Sequence, residues 1–327
     1  MKKKLFALLL LPCLFLTSCD IPFVDKIFNN SEVSNDNVKI TFVLNNGTDN
    51  QLIEIPKGTD SFDKPLALKE GYIFSCWCID EKLTTEYDFS TDVNKDITLY
   101  AKYIVDYKYL TNIITTDTIK ANVKIVSTTK TLTTTSSSSG SGVIFCEDNN
   151  YYYALTNNHV INYNIIRPAY TVFDYLGNEY DAEVLFSKAE YDLAIVKFKK
   201  KNSTTLKVIT CSSNNISVDD EIVCLTDPLG QFNAITYGTI KSLNAKVEIT
   251  DSASSNINFE VIAHSAYLNN GSSGGALLDT NLKLIGINFA GGINKDTNEF
   301  KSGYAIPINK VSEFISLYNA KNIKLNY

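Results

Sequence analysis

The sequence predicts a mostly β protein in two parts, a small β unit near the N-terminus and a larger strand-rich region behind it. Between residues 38 and 104, alternating stretches such as VKITFVLNN (38–46) and DITLYAKY (96–103) are separated by turn punctuation at Gly47, Pro56, Gly58, Pro65 and Gly71. From residue 121 onward a series of short apolar runs is broken by turns, from NVKIVST through DLAIVKF, EIVCLT and KLIGINFA to SGYAIPI. Many short strands so spaced predict a sandwich or barrel. Only NKVSEFISLYNAK (309–321) has helical spacing.

Taken in order, residues 1–18 carry three lysines, an apolar run too short to span a bilayer, and small residues ahead of Cys19. That pattern predicts an export signal, and its ending Leu16, Thr17, Ser18, Cys19 resembles the lipobox of bacterial lipoproteins. The resemblance implies cleavage before Cys19, a diacylglycerol on its sulfur, and a protein anchored by lipid to the outer face of a bacterial cell membrane. Residues 19–37 are rich in Asn, Ser and Asp and aperiodic, which suits a disordered tether.

Composition bounds the character of the remaining chain. With 44% hydrophobic and 20% charged residues over 327 positions, it can bury a sizeable core in two or more domains. A net charge of -6 without a basic patch argues against nucleic acid as a partner. Cys76, Cys78, Cys146, Cys211 and Cys224 are odd in number and give no complete disulfide framework. Cys76 and Cys78 would share one face of a strand, a poor geometry for bridging each other, and read as packing residues. No metal or cofactor is called for.

The order TFVLNNG, IPKGT, EGYIFSCW, YDFSTDVNKDITLYAKY within residues 38–104 resembles the internalin B-repeat family of bacterial surface proteins. The resemblance implies a small β-grasp-like module serving as a spacer or adhesive unit. Residues 105–120 read as a linker to the larger region at 121–327.

Three polar residues of that larger region fall at strand ends: His159 after YYYALTNN, Asp192 before LAIVKF, and Ser273 in NNGSSGGALL. A serine hydroxyl is a poor nucleophile at neutral pH and needs an adjacent base. Histidine is the side chain that ordinarily supplies one, and a carboxylate can orient it. The glycine-rich stretch around Ser273 leads directly into an apolar strand, which a flexible linker has no reason to do. The order His, Asp, Ser is the one used on double β-barrels whose barrels meet at the catalytic site.

With GSGVIF, ALTNNHVI, YDLAIVKF, DPLGQFNAITYGTI, GSSGGALLD, LIGINFA and GYAIPIN in sequence order, residues 121–327 resemble the trypsin-fold serine proteases of the HtrA group. The resemblance implies a two-barrel serine endopeptidase acting on proteins or peptides, with His159 as base, Asp192 as its orienter and Ser273 as nucleophile. The amides of Gly271 and Ser273 would form the oxyanion hole, with Gly274 and Gly275 permitting close packing behind them. In trypsin-fold enzymes the residues five and six positions before the serine supply the base of the specificity pocket; here they are Leu268 and Tyr267. Neither is charged, so small or medium apolar side chains are expected before the cut. His264 is expected to be structural. The family often has Asp where Ser265 stands, and no PDZ domain is expected after the helix. The alternative reading is a peptide-binding or adhesive surface lipoprotein on a catalytically idle protease fold.

Overall fold

The computed structural model describes residues 36–161, 168–228, 231–247, 257–293, 299–321 and 324–325. The expected signal at 1–18, the Cys19 anchor and the tether up to residue 35 lie outside the described residues. Among those described, no helix is long and apolar enough to cross a membrane.

The first unit is a four-stranded sheet of β1 (Asn37–Val43), β2 (Gln51–Pro56), β3 (Tyr72–Cys78) and β4 (Ile97–Val105). Its order is β2-β1-β4-β3, with β1 and β4 parallel at the centre. The two-residue period of VKITFV puts Val38, Ile40 and Phe42 into one core with Leu99 and Ala101. Phe42 meets Trp77 edge-on at 4.8 Å. Cys76 and Cys78 are unbridged and share a face as expected, their sulfurs 3.8 Å apart. Burial and the neighbouring thiol push Cys78 up to about 11.

The connection at 105–120 is structured. Asp106 caps α1 (Tyr107–Thr116) by accepting from the amides of Lys108 and Tyr109, and a short 3-10 turn comes next over Thr118–Ala121. Leu110 and Ile114, four apart on one face, are buried in the large core. Tyr107 packs edge-on against Tyr237 at 4.8 Å and donates to Glu221 at 2.9 Å, seating the helix on the second barrel. The small sheet adds its own contact, Tyr72 Oη to Thr280 Oγ1 at 2.8 Å.

Two closed six-stranded barrels make up the rest. The first contains β5 (Asn122–Lys130), β6 (Thr135–Glu147), β7 (Tyr151–Thr156), β8 (Ala169–Phe173), β9 (Glu179–Lys188) and β10 (Leu193–Lys199). A four-residue helix, α2 (Asn158–Ile161), comes after β7. The second contains β11 (Glu221–Thr226), β12 (Ala234–Ala245), β13 (Val261–His264), β14 (Ala276–Asp279), β15 (Leu284–Ile293) and β16 (Phe300–Pro307), ending in α3 (Ile308–Asn319).

The unbroken apolar runs in β10 and β11 reflect strands buried on both faces. Ala194, Val196 and Phe198 fill the first barrel while Leu193 and Ile195 face the core between barrels. Ile222 and Cys224 fill the second, while Val223 and Leu225 join that same shared core. Helix α3 buries Val311, Phe314, Ile315 and Tyr318. Phe314 stacks on Phe186 of β9 at 5.1 Å, so the helix that continues from the second barrel closes over the first.

Candidate active site

His159 lies in α2, where β7 ends, and Asp192 immediately precedes β10, which pairs with β7. Adjacent strands thus present both residues at one rim. Asp192 sits in the left-handed region at φ 50, a conformation that Asp tolerates better than most residues. Its amide donates to the Ala189 carbonyl, and its own carbonyl accepts from Asn157 Nδ2 at 2.9 Å. The carboxylate is 1% exposed; Oδ1 accepts from the His159 amide at 3.0 Å and Oδ2 lies 2.8 Å from His159 Nδ1. An ionised carboxylate only accepts, so Nδ1 carries the proton and Nε2 of the neutral ring keeps its lone pair.

The glycine stretch joins β13 to β14. Two of its peptide units are held at both ends. In the unit between Gly271 and Ser272, the carbonyl accepts from Ser141 Oγ at 2.7 Å and the amide donates to Asn269 at 2.9 Å. In the unit between Ser273 and Gly274, the carbonyl accepts from the Ser141 amide and the Gly274 amide donates to Asn288, both at 2.8 Å. Gly271 and Gly274 have φ of 92 and 89, and a Cβ on Gly274 would run into the Ser141 carbonyl oxygen, so glycine is required there. Among the described residues, the amides of Gly271 and Ser273 have no hydrogen-bond partner.

The loop and the His159 rim meet at Gly140. A Cβ placed there would touch both the Val160 side chain at 2.5 Å and the Ser273 carbonyl oxygen at 2.9 Å, so the residue after His159 and the backbone of Ser273 flank one glycine. Ser273 Oγ donates to the Phe289 carbonyl at 3.3 Å.

Leu268 is buried in the second barrel's core, whereas Tyr267 is 52% exposed and lies edge-on to Phe300 at 5.1 Å. Successive residues of the extended segment face opposite ways, and the inward place is taken by Leu268. His264 is fully buried under the loop, with Nε2 3.0 Å from Asn288 Oδ1, and burial pushes it down to about 4. Sequence reasoning did not single out Ser141, Asp227 or Asn288. Ser141 lay within the quoted GSGVIF, yet nothing in a serine flanked by glycines signals that it reaches a loop some 130 residues away. Among the described residues, no group of three or more His, Cys, Asp or Glu could hold a metal ion.

Residues 140–287 match the family described as Trypsin-like peptidase domain, and residues 39–102 the Listeria-Bacteroides repeat domain. The chain is 33% identical over 168 residues to the periplasmic serine endoprotease DegP of Salmonella typhimurium, an alignment covering 50% of this chain and 32% of that one. It is 34% identical over 163 residues to a probable serine protease do-like protein of Buchnera aphidicola (48% and 31% covered). Against the magnetosome formation protease MamE of Paramagnetospirillum magneticum it is 30% identical over 162 residues (48% and 21%). The chain thus spans a third or less of these relatives. Residues 140–287 are similar in sequence to a trypsin-like peptidase domain, and they lie within the pair of closed barrels formed by residues 122–307.

Proposed function

We propose that the protein is a serine endopeptidase that cuts peptide bonds through an acyl-enzyme, with Ser273 as nucleophile, His159 as base and Asp192 as its orienter. The observation that carries this is the buried Asp192 carboxylate gripping both the amide and Nδ1 of His159, at 3.0 and 2.8 Å, beside a loop whose two flanking peptide units are fixed. Ser273 Oγ turns from Phe289 to His159 Nε2, gives up its proton and attacks the scissile carbonyl. The imidazolium, held against Asp192, then protonates the leaving amine, and water reverses the sequence to release the acid product. The unpartnered amides of Gly271 and Ser273 are the donors available to the oxyanion, each worth about 3 kcal/mol in comparable sites.

Substrates are proteins or peptides. Uncharged Tyr267 and Leu268 favour an apolar residue before the cut, since a buried cation would meet no carboxylate there. The N-terminal module, seated on the second barrel through α1, acts as a spacer, and a lipid on Cys19 holds the protein at the outer face of the cell membrane. The decisive experiment is labelling with a fluorophosphonate: wild type should label and Ser273→Ala should not. A folded wild type that resists the probe and leaves peptides intact would favour the idle, peptide-binding reading instead. Recovery of Cys19→Ala still tightly bound to membranes would refute the anchor.

A further inference from the structure

Outside the proposed triad, Ser141 of β6 is bonded at every one of its polar atoms beside the loop. Its amide donates to the Ser273 carbonyl at 2.8 Å and its carbonyl accepts from Thr156 Oγ1 at 2.7 Å. Its hydroxyl lies 2.7 Å from the Asp227 amide and 2.7 Å from the Gly271 carbonyl oxygen. The direction of that hydroxyl is forced. An amide can only donate, so Ser141 Oγ accepts from Asp227 and its single proton is left for Gly271.

Asp227 is in turn fixed from two sides. Oδ2 accepts from Asn122 Nδ2 at 2.8 Å and Oδ1 from the Asn233 amide at 2.7 Å. Asn122 belongs to the first barrel and Asn233 precedes β12 of the second, so the carboxylate, 1% exposed, ties the barrels together directly behind the loop.

We propose that Ser141, locked by Asp227, is a positioning residue that sets the direction of the Ser273 amide and limits that of Gly271. This rests on the serine-peptidase reading above. The Ser272–Ser273 peptide unit carries the Ser273 amide and lies between two units whose carbonyls both end on Ser141. With both neighbours pinned and its own carbonyl accepting from the Gly275 amide at 3.1 Å, the intervening unit has little rotational freedom. Without the Ser141 hydroxyl, the Gly271 carbonyl is released and its unit keeps only the Ser272 amide's bond to Asn269, which lets it tilt at a glycine whose backbone tolerates either hand. The effect should fall on the oxyanion, which exists only after attack, and not on substrate binding.

The test compares wild type, Ser141→Ala and, as a control, Tyr180→Phe. The control deletes a buried hydrogen bond, Tyr180 Oη to Asp174 Oδ2 at 2.9 Å, inside the first barrel. For Ser141→Ala we expect kcat to fall about 10- to 100-fold with KM within about twofold, while Tyr180→Phe keeps wild-type kcat at a comparable loss of melting temperature. Wild-type kcat in Ser141→Ala, or losses that merely track the unfolded fraction, overturns the inference alone. Wild type that neither labels nor hydrolyses overturns the peptidase reading, and the inference with it.

Should Ser141→Ala not fold, Asp227→Asn supplies the second readout. Burial pushes the Asp227 carboxyl up to about 6 against the hydrogen bonds from the Asn233 amide and the Asn122 side chain and the charge of Lys124 on β5, the one charged group facing it among the described residues. Protonation weakens its grip on the two donors. Below that range, wild-type log(kcat/KM) should fall more steeply than that of the variant, by close to one proton. Identical acid limbs in the two proteins would refute the role of Asp227.

Discussion

The two barrels hold their contributions to the site in opposite ways. The first barrel secures His159 and Asp192 from within: both stand at the ends of adjacent strands, and each of the contacts fixing the carboxylate comes from its own barrel. The second barrel offers a glycine loop that it cannot fully hold. Asn288 and Asn269 fix the amide ends of two peptide units, but both carbonyl ends are taken by Ser141 of the first barrel. The His159–Asp192 pair is therefore positioned by one domain, whereas the loop carrying Ser273 is finished only when the domains dock.

The largest expected effect sharpens the first half of that contrast. Asp192→Asn keeps the side chain's shape but offers an amide where the ring's Nδ1 proton must be accepted. By analogy with other triads, kcat should fall about 10⁴-fold with the fold preserved. Steady-state kinetics beside circular dichroism checks it, and a loss under tenfold would mean that His159 is held by something else.

Next comes the loop. Gly274→Ala combines a left-handed φ of 89 with a collision against the Ser141 backbone, and should cost about 2–5 kcal/mol of stability. Gly177→Ala shares the strain, at φ 83, but meets nothing within 4 Å and should cost only about 1 kcal/mol. Chemical denaturation of the pair separates strain from cross-barrel contact. Equal losses would deny that the loop is clamped from the first barrel.

A subtler effect concerns two buried groups beside the loop. His264, pushed down to about 4, contributes stability that is present above its unfolded value of 6.5 and lost as pH falls towards 4. Asp227, raised from 3.8 to about 6, behaves inversely: its contribution is present below 3.8 and lost as pH rises through 6. Each amounts to about 3 kcal/mol at 1.36 kcal/mol per unit, to order of magnitude, over nearly the same window. In wild type the two should largely cancel. Asp227→Asn should expose the histidine's share, steepening the loss of stability between about pH 6 and 4 by close to one proton. Urea titrations across that range decide it, and parallel curves for the two proteins would show that the carboxyl does not titrate there.

Legibility in the sequence divides along the same line. The strands of both barrels were visible because runs such as DLAIVKF and EIVCLT are apolar on both faces, and α3 because Val311, Phe314, Ile315 and Tyr318 repeat at helical spacing. β8, only Ala169–Phe173 with mixed burial, left no such trace. Helix α1 was hidden among threonines and isoleucines of poor helical propensity, and owes its stability to the Asp106 cap and to the second barrel's surface. His159, Asp192 and Ser273 announced themselves through residue type at strand ends. Ser141 and Asp227 could not, because their importance lies in which carbonyl or amide the fold brings to them. The outward turn of Tyr267 was equally invisible, since spacing from Ser273 fixes a position in the chain but not a side chain's direction.

Helix α3 has a consequence for the order of events during biogenesis. It is built from residues 308–319 and yet seals the first barrel through Phe186 and Tyr191, on segments synthesised more than a hundred residues earlier. An emerging chain can close the first barrel, and with it the His159–Asp192 pair, long before this seal exists. Docking of the barrels, which completes the loop, waits on contacts of great sequence separation and is correspondingly slow. Nascent chains would therefore carry the His159–Asp192 pair without a completed glycine loop, so that on the peptidase reading proposed above the nucleophile is assembled last, a built-in delay before activity.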